Sequence, residues 1–156
     1  MRRGKMATYT QGSLGSVLIV LFELTLPAYA QAPTLRFEHL TQDQGLSEST
    51  VNSIVEDHKG FMWFGTYDGL NRYDGASFII YRNDPRDPRS LSGNRIERNN
   101  LLEDREGVLW IGTNNGLNRY DRDTDTFQRY KRDEQDPSSL SSNVVYVVYE
   151  DREGEL

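Results

Sequence analysis

An all-β chain of repeated four-stranded antiparallel meanders is the fold class this sequence predicts, and three observations predict it. A unit of 47 residues recurs. Each unit holds short apolar stretches separated by glycine-containing turns. One stretch in every unit is apolar at consecutive positions, so it has no wet face. The composition agrees. The 156 residues are a prior of one domain. With 27% charged residues and a mean hydropathy of −0.72 the chain is too polar for a polytopic membrane protein, and 11% aromatic is too rich for plain disorder. Glycine, Asn-Gly and Asp-Pro occur too often for a helix of useful length beyond the N-terminal stretch.

Charge and residue types exclude several chemistries. The net charge of −6 and the absence of a basic face argue against a nucleic-acid partner. Cysteine is absent, which rules out disulfides and thiolate metal sites. Only His39 and His58 are present, too few for a histidine-rich metal centre. No metal site and no cofactor is expected.

The elements follow in chain order. Arg2, Arg3 and Lys5 open the sequence, the apolar run Val17–Phe22 follows, and Ala28-Tyr29-Ala30 places small residues before a cleavage point at Gln31. Residues 1–30 therefore read as a secretory signal peptide, with Glu23 as its one irregularity. The run is short of the roughly 20 apolar residues that span a bilayer. Residues 31–50 read as an N-terminal closing strand, Leu35–Leu40, and a linker. The strand is inferred because Phe37-Glu38-His39-Leu40 precedes Leu46-Ser47 as Phe78–Tyr81 precedes Leu91-Ser92 and Phe127–Tyr130 precedes Leu140-Ser141. It is expected to lack its native partner here.

The repeat itself begins next. Glu56-Asp57-His58-Lys59-Gly60-Phe61-Met62-Trp63-Phe64-Gly65-Thr66 returns as Glu103-Asp104-Arg105-Glu106-Gly107-Val108-Leu109-Trp110-Ile111-Gly112-Thr113. Gly69-Leu70-Asn71-Arg72-Tyr73-Asp74 returns as Gly116-Leu117-Asn118-Arg119-Tyr120-Asp121, and a third copy opens at Glu150-Asp151-Arg152-Glu153-Gly154. In the first unit the expected strands are Val51–Glu56, Phe61–Gly65, Gly69–Asp74 and Phe78–Arg82. Asp57–Gly60, Asp68-Gly69 and Asp74-Gly75 supply the hairpins between them, and Asn115-Gly116 repeats the second, because these residues tolerate positive φ. Phe61–Phe64 and Val108–Ile111 are apolar on both faces, whereas a sheet with one wet face would alternate. Sheets covered on both sides and stacked face to face around an axis make a β-propeller, for which units of ~40–50 residues are the usual size. The expected domains are blade one at 51–95, blade two at 96–143, and the first strand of a truncated third blade at 144–156, an incomplete propeller. Such an isolated piece is expected to leave an unpaired edge and to melt with little cooperativity.

The pattern D-x-x-G-x-L/M-W-F/I-G-T followed by G-L-N-R-Y-D resembles the two-component regulator propeller repeat, over residues 37–156. The resemblance implies an exported, periplasmic ligand-sensing domain at the N-terminus of a membrane receptor. It implies further blades, a β-sandwich, a membrane helix and a cytoplasmic histidine kinase acting in a phosphorelay. A diguanylate cyclase or DNA-binding module replaces the kinase in some relatives. None of those output parts is in this sequence. The implied partners are a small molecule or glycan bound by the complete propeller, and the downstream receptor domains. The membrane is reached only through the absent parts. The rival reading is a secreted propeller enzyme, a lyase or glycan hydrolase. That would need one non-repeating carboxylate, His or Tyr cluster, and none is evident, so no catalytic residue is assigned.

Several residue groups are of types that can carry chemistry. Asp121, Asp123 and Asp125 alternate as in a calcium loop, but Thr126 and Arg132 stand where glycine and glutamate are needed. A polar hairpin is expected. Glu56-Asp57, Glu103-Asp104 and Glu150-Asp151 recur in every unit, which suits turns closed by carboxylates more than an acid–base pair. Trp63 and Trp110 are expected in the core, not as sugar platforms, and Arg72-Tyr73 and Arg119-Tyr120 are expected to pack. Recognition is expected in the loops that differ between units. Tyr67 and Asp68 against Asn114 and Asn115 are the ligand-binding candidates, with 83–94 against 133–143 beside them.

Overall fold

The computed structural model describes residues 35–156, and the leader read at 1–30 lies outside them. Two four-stranded antiparallel meanders carry the fold. In the first, β1 (Ser53–Glu56), β2 (Met62–Thr66), β3 (Gly69–Tyr73) and β4 (Phe78–Tyr81) lie side by side in that order. The second repeats the order with β5 (Leu101–Glu103), β6 (Leu109–Thr113), β7 (Gly116–Asp121) and β8 (Thr126–Tyr130). Register repeats with the sequence. Trp63 pairs with Arg72 as Trp110 pairs with Arg119, and Leu70 pairs with Tyr81 as Leu117 pairs with Tyr130. These are two blades of a β-propeller, and among the described residues the sheets do not close into a ring.

The turns form where glycine allows them. Gly60 and Gly107, at φ 84° and 79°, close the first hairpin of each blade, and Gly69 and Gly116, at φ 109° and 133°, the second. Asp151–Gly154 makes the same turn in the third copy, with the Gly154 N–H donating to the Asp151 carbonyl at 3.3 Å. The expected strand before it, from 144, is not formed. Leu35–Leu40 likewise forms no strand, and Leu35 and Phe37 are each 79% exposed. Leu35–Leu40 has no neighbouring strand among the described residues, and the segment from 144 makes isolated backbone bonds but no ladder, Val145 N–H to the Thr113 carbonyl at 3.0 Å and Val148 N–H to the Asn99 carbonyl at 3.2 Å. Contacts group Phe37–Leu156 as one unit. Leu35 and Arg36, the described residues of the other unit, are exposed and irregular.

The core lies between the two sheets. Trp63 and Leu70 of the first meet Leu101, Leu109, Ile111, Tyr120 and Phe127 of the second, with Leu91 and Ile96 of the connecting linker filling the gap. The tryptophan ring stands edge-on to Tyr120 at 4.9 Å and stacks on Tyr81 at 5.8 Å. Burial in β7 alternates strictly. Gly116, Asn118 and Tyr120 are buried, while Leu117, Arg119 and Asp121 are only partly covered. The second sheet thus has one dry face, toward the first, and one open face.

Glycine in the Trp-x-Gly-Thr motif is required by close approach. A Cβ at Gly65 would lie 2.5 Å from Ile96 Cγ2, and one at Gly112 would lie 2.7 Å from Val145 Cγ1. The linker residue that enters each following unit rests on the bare backbone of the preceding one. Gly65→Ala should therefore destabilise by about 1–3 kcal/mol through overpacking. Faster amide exchange across β2 and β5 reads this out. Unchanged exchange there would contradict the close approach.

Candidate functional site

The repeated residues hold each blade together. Asp57 Oδ1 accepts the backbone N–H groups of Lys59 and Phe61 at 2.9 and 3.0 Å, and Oδ2 accepts the Trp63 indole N–H at 2.7 Å. Asp104 does the same for Glu106, Val108 and Trp110. The aspartates of the repeat thus close turns, as expected, and also fix the tryptophans, which the sequence did not announce. Burial pushes the Asp57 carboxyl up, but the hydrogen bonds from Trp63, Arg122 and Phe61 outweigh it and hold the group below its ordinary value.

Asn, Ser and Thr of the repeat fasten each linker to its blade. Asn118 is fully buried. Its Oδ1 accepts the Ser92 N–H at 2.8 Å, and its Nδ2 donates to Ser92 Oγ and the Ile111 carbonyl at 2.9 and 3.0 Å. Ser92 Oγ in turn meets Thr113 Oγ1 at 2.9 Å. Asn71, Ser47, Phe64 and Thr66 repeat these contacts in the first blade. The Leu-Ser linker signature therefore marks docking onto the blade that follows it.

A second set of contacts joins the blades. Arg122 donates from Nη1 to Asp57 and from Nη2 to Glu103, both at 2.7 Å. Glu103 also accepts the His58 N–H at 2.8 Å and faces His58 Nδ1 at 2.6 Å. Asp125, at φ 54°, turns its Oδ1 to the hydroxyls of Tyr81 and Tyr120. Arg72 completes the group, donating to Tyr120 Oη at 2.8 Å and lying over Phe61, Trp63 and Tyr81. Burial first, and the Asp125 carboxylate second, push the Tyr81 hydroxyl well above the usual phenol range and raise that of Tyr120. The Asp121–Asp125 stretch is the expected polar hairpin. Asp121 Oδ1 accepts from the Asp123 and Thr124 N–H groups, and Asp125 is committed to the tyrosines. Among the described residues no group of His, Asp and Glu could hold a metal ion.

The four ligand-binding candidates lie at the opposite end of the strands, in the β2–β3 and β6–β7 turns. Three of them are engaged. Asp68 takes a two-point ion pair from Arg82, at 3.1 and 2.7 Å. Asn114 exchanges backbone and side-chain bonds with Arg95. Asn115 donates to the Ser92 carbonyl at 2.8 Å. Tyr67 differs. Its ring is exposed, Arg95 lies over it at 4.6 Å, its N–H donates to Glu48, and its hydroxyl reaches Glu97 at 3.4 Å. Arg95 and Glu97 pair at 2.7 Å. The structure thus gathers Tyr67, Arg95, Glu97 and Glu48 at this end, an aromatic face edged by both charges. Of these only Tyr67 was singled out from the sequence. Arg95 and Glu97 lie just past the variable stretch 83–94, and nothing local in the sequence marks them. Trp63 is wholly buried and cannot serve as a platform.

Comparison with known proteins comes to the same architecture. The family described as two component regulator propeller matches residues 45–68 and 90–115. Histidine kinase P4 of Formosa agariphila is 42% identical over 81 residues, which are 51% of this chain and 6% of that protein. The crystal structure of the extracellular domain of the hybrid two component system BT3049 from B. thetaiotaomicron superposes with a TM-score of 0.68 at 36% identity, covering 75% of this chain and 16% of that one. The extracellular domain of BT4673 from the same organism gives 0.54 at 36% identity, covering 67% and 14%. The chain therefore spans a small part of each relative's length.

Proposed function

Because this chain carries two-component regulator propeller repeats, we propose that it is part of an exported sensing domain of a two-component receptor. One observation carries the reading. The residues that recur are spent on holding strands, linkers and blades together, while the unlike residues Tyr67, Arg95 and Glu97 collect at one exposed end. A rigid scaffold presenting variable loops is the arrangement of a binding module. In this reading the chain binds and does not catalyse. Residues 1–30 direct export as a signal peptide, the domain works in the periplasm, and phosphotransfer belongs to receptor parts outside this sequence. A ligand, a small molecule or glycan, acts by binding one receptor state more tightly than another.

The test uses the receptor that contains this segment, in membranes, with phosphorylation read against a panel of neutral and charged oligosaccharides. Tyr67→Ala with Arg95→Ala is expected to raise the half-maximal ligand concentration about fivefold or more. Maximal phosphorylation should not change. An unaltered response across the panel contradicts the loop assignment. Fusion of alkaline phosphatase after residue 36 tests export separately, and an inactive fusion would remove the periplasmic assignment.

A further inference from the structure

A groove of about 500 Å³ opens between the blades at the end opposite Tyr67, lined by Lys59, Phe61, Arg72, Tyr120, Arg122 and Asp123. That volume suits a small organic molecule. Its charged groups are unequally occupied. Arg122 spends both terminal nitrogens on Asp57 and Glu103. Those two carboxylates and Asp125 each accept two or more donors. Arg72 uses Nη1 alone, toward Tyr120 and, at 3.5 Å, Asp125. Its Nε and Nη2 have no acceptor among the described residues, and the side chain is 20% exposed. Lys59 has no carboxylate within ion-pair distance among the described residues. Asp123 is the one lining carboxylate without a cationic partner there, and it is exposed.

Nε and Nη2 form the edge of a guanidinium whose two parallel N–H groups match the two oxygens of a carboxylate. This chain uses that edge elsewhere, where Arg82 grips Asp68 through Nε and Nη2. On Arg72 the same edge is idle, and Phe61 gives the groove an aromatic wall, its ring 5.1 Å from the guanidinium. We propose that the inter-blade groove binds a small organic carboxylate, gripped by Arg72 Nε and Nη2, neutralised by Lys59, with its flat body against Phe61. The site is independent of the sensing role, since it concerns binding by these residues alone.

The test is a titration of the full chain with benzoate, followed through backbone amide shifts of Lys59, Phe61 and Asp123. Benzamide supplies the ring without the charge, and inorganic sulfate the charge without the ring. Benzoate is expected to give saturable shifts with a midpoint near a few millimolar, about −3 to −4 kcal/mol. Benzamide should give none, and sulfate a midpoint at least about fivefold weaker. Lys59→Ala is expected to weaken benzoate about fivefold, and Asp123→Asn to tighten it about twofold by removing the opposing charge. Neither residue holds the blades together, so both variants keep the fold. Absence of saturation with benzoate overturns the proposal. So do equal shifts with benzamide, an equal midpoint for sulfate, or a midpoint indifferent to both substitutions.

Discussion

Trp63→Ala is expected to destabilise the first blade and its junction by about 3–5 kcal/mol. The side chain is fully buried and touches aromatic rings of both blades. Its removal leaves a cavity that neither sheet can close, because each is fixed by its own ladder. Asp57 also loses the indole donor at 2.7 Å. Trp110→Ala should cost markedly less. Trp110 faces the open side of the second sheet, with Tyr130 as its aromatic neighbour. Native-state amide exchange in β2, β3 and β7 gives both losses without requiring a sharp melt. Equal losses for the two tryptophans would contradict the packing.

Asp57→Ala carries the second large effect, about 2–4 kcal/mol. Its side chain is completely buried, and its removal strands the Trp63 indole, two backbone N–H groups and one arm of Arg122. Arg122 keeps Glu103, which limits the loss. Asp104→Ala should cost less, because no guanidinium pairs with Asp104. A pH dependence goes with this. The folded-state value of Asp57 lies below its ordinary one, so the native state binds fewer protons than the unfolded chain does. The stabilisation is complete above the unfolded value, about pH 4, and is lost as pH falls through the folded-state value. Asp125, held down by the Tyr120 and Tyr81 hydroxyls and Arg72 against the opposing effect of burial, adds in the same direction. Opening free energies, taken from exchange corrected for the intrinsic pH dependence of amides, should fall between pH 6 and 3, and less steeply in Asp57→Asn. An identical acid profile in that variant would remove Asp57 from the account.

The meander and its hairpins were legible in the sequence because their causes are local. Glycine at positive φ sets the turns, whereas the two covered faces expected from the apolar runs at 61–64 and 108–111 are found only in part, because among the described residues nothing covers the outer face of the second sheet, where Trp110 lies. The role of the recurring aspartate was legible in part, since turn closure is local while the reach to the indole depends on strand pairing. What the residue pattern could not give was the contact between units. Arg122 meets Asp57 across 65 positions, and Asp125 meets Tyr81 across 44. The alternation of Asp121, Asp123 and Asp125 resembled a metal loop for the same reason, since nothing local shows that Asp125 faces the tyrosines of the joint. No ladder forms at 35–40, the segment already expected to lack its partner, nor from 144, because a strand exists only with a partner. Among the candidate loop residues, Asp68, Asn114 and Asn115 differ between units yet are held by Arg82, Arg95 and Ser92. Difference between repeats marks where the structure varies, not which side chains are free.

The central claim is that the two repeated units pack face to face and keep one tryptophan dry between them. Acrylamide quenching of single-tryptophan variants tests it most directly. With Trp110→Phe, the remaining Trp63 should emit at short wavelength and resist quenching. With Trp63→Phe, the remaining Trp110 should emit at longer wavelength and be quenched several times more readily. Two tryptophans with the same emission and the same access to quencher would contradict the claim.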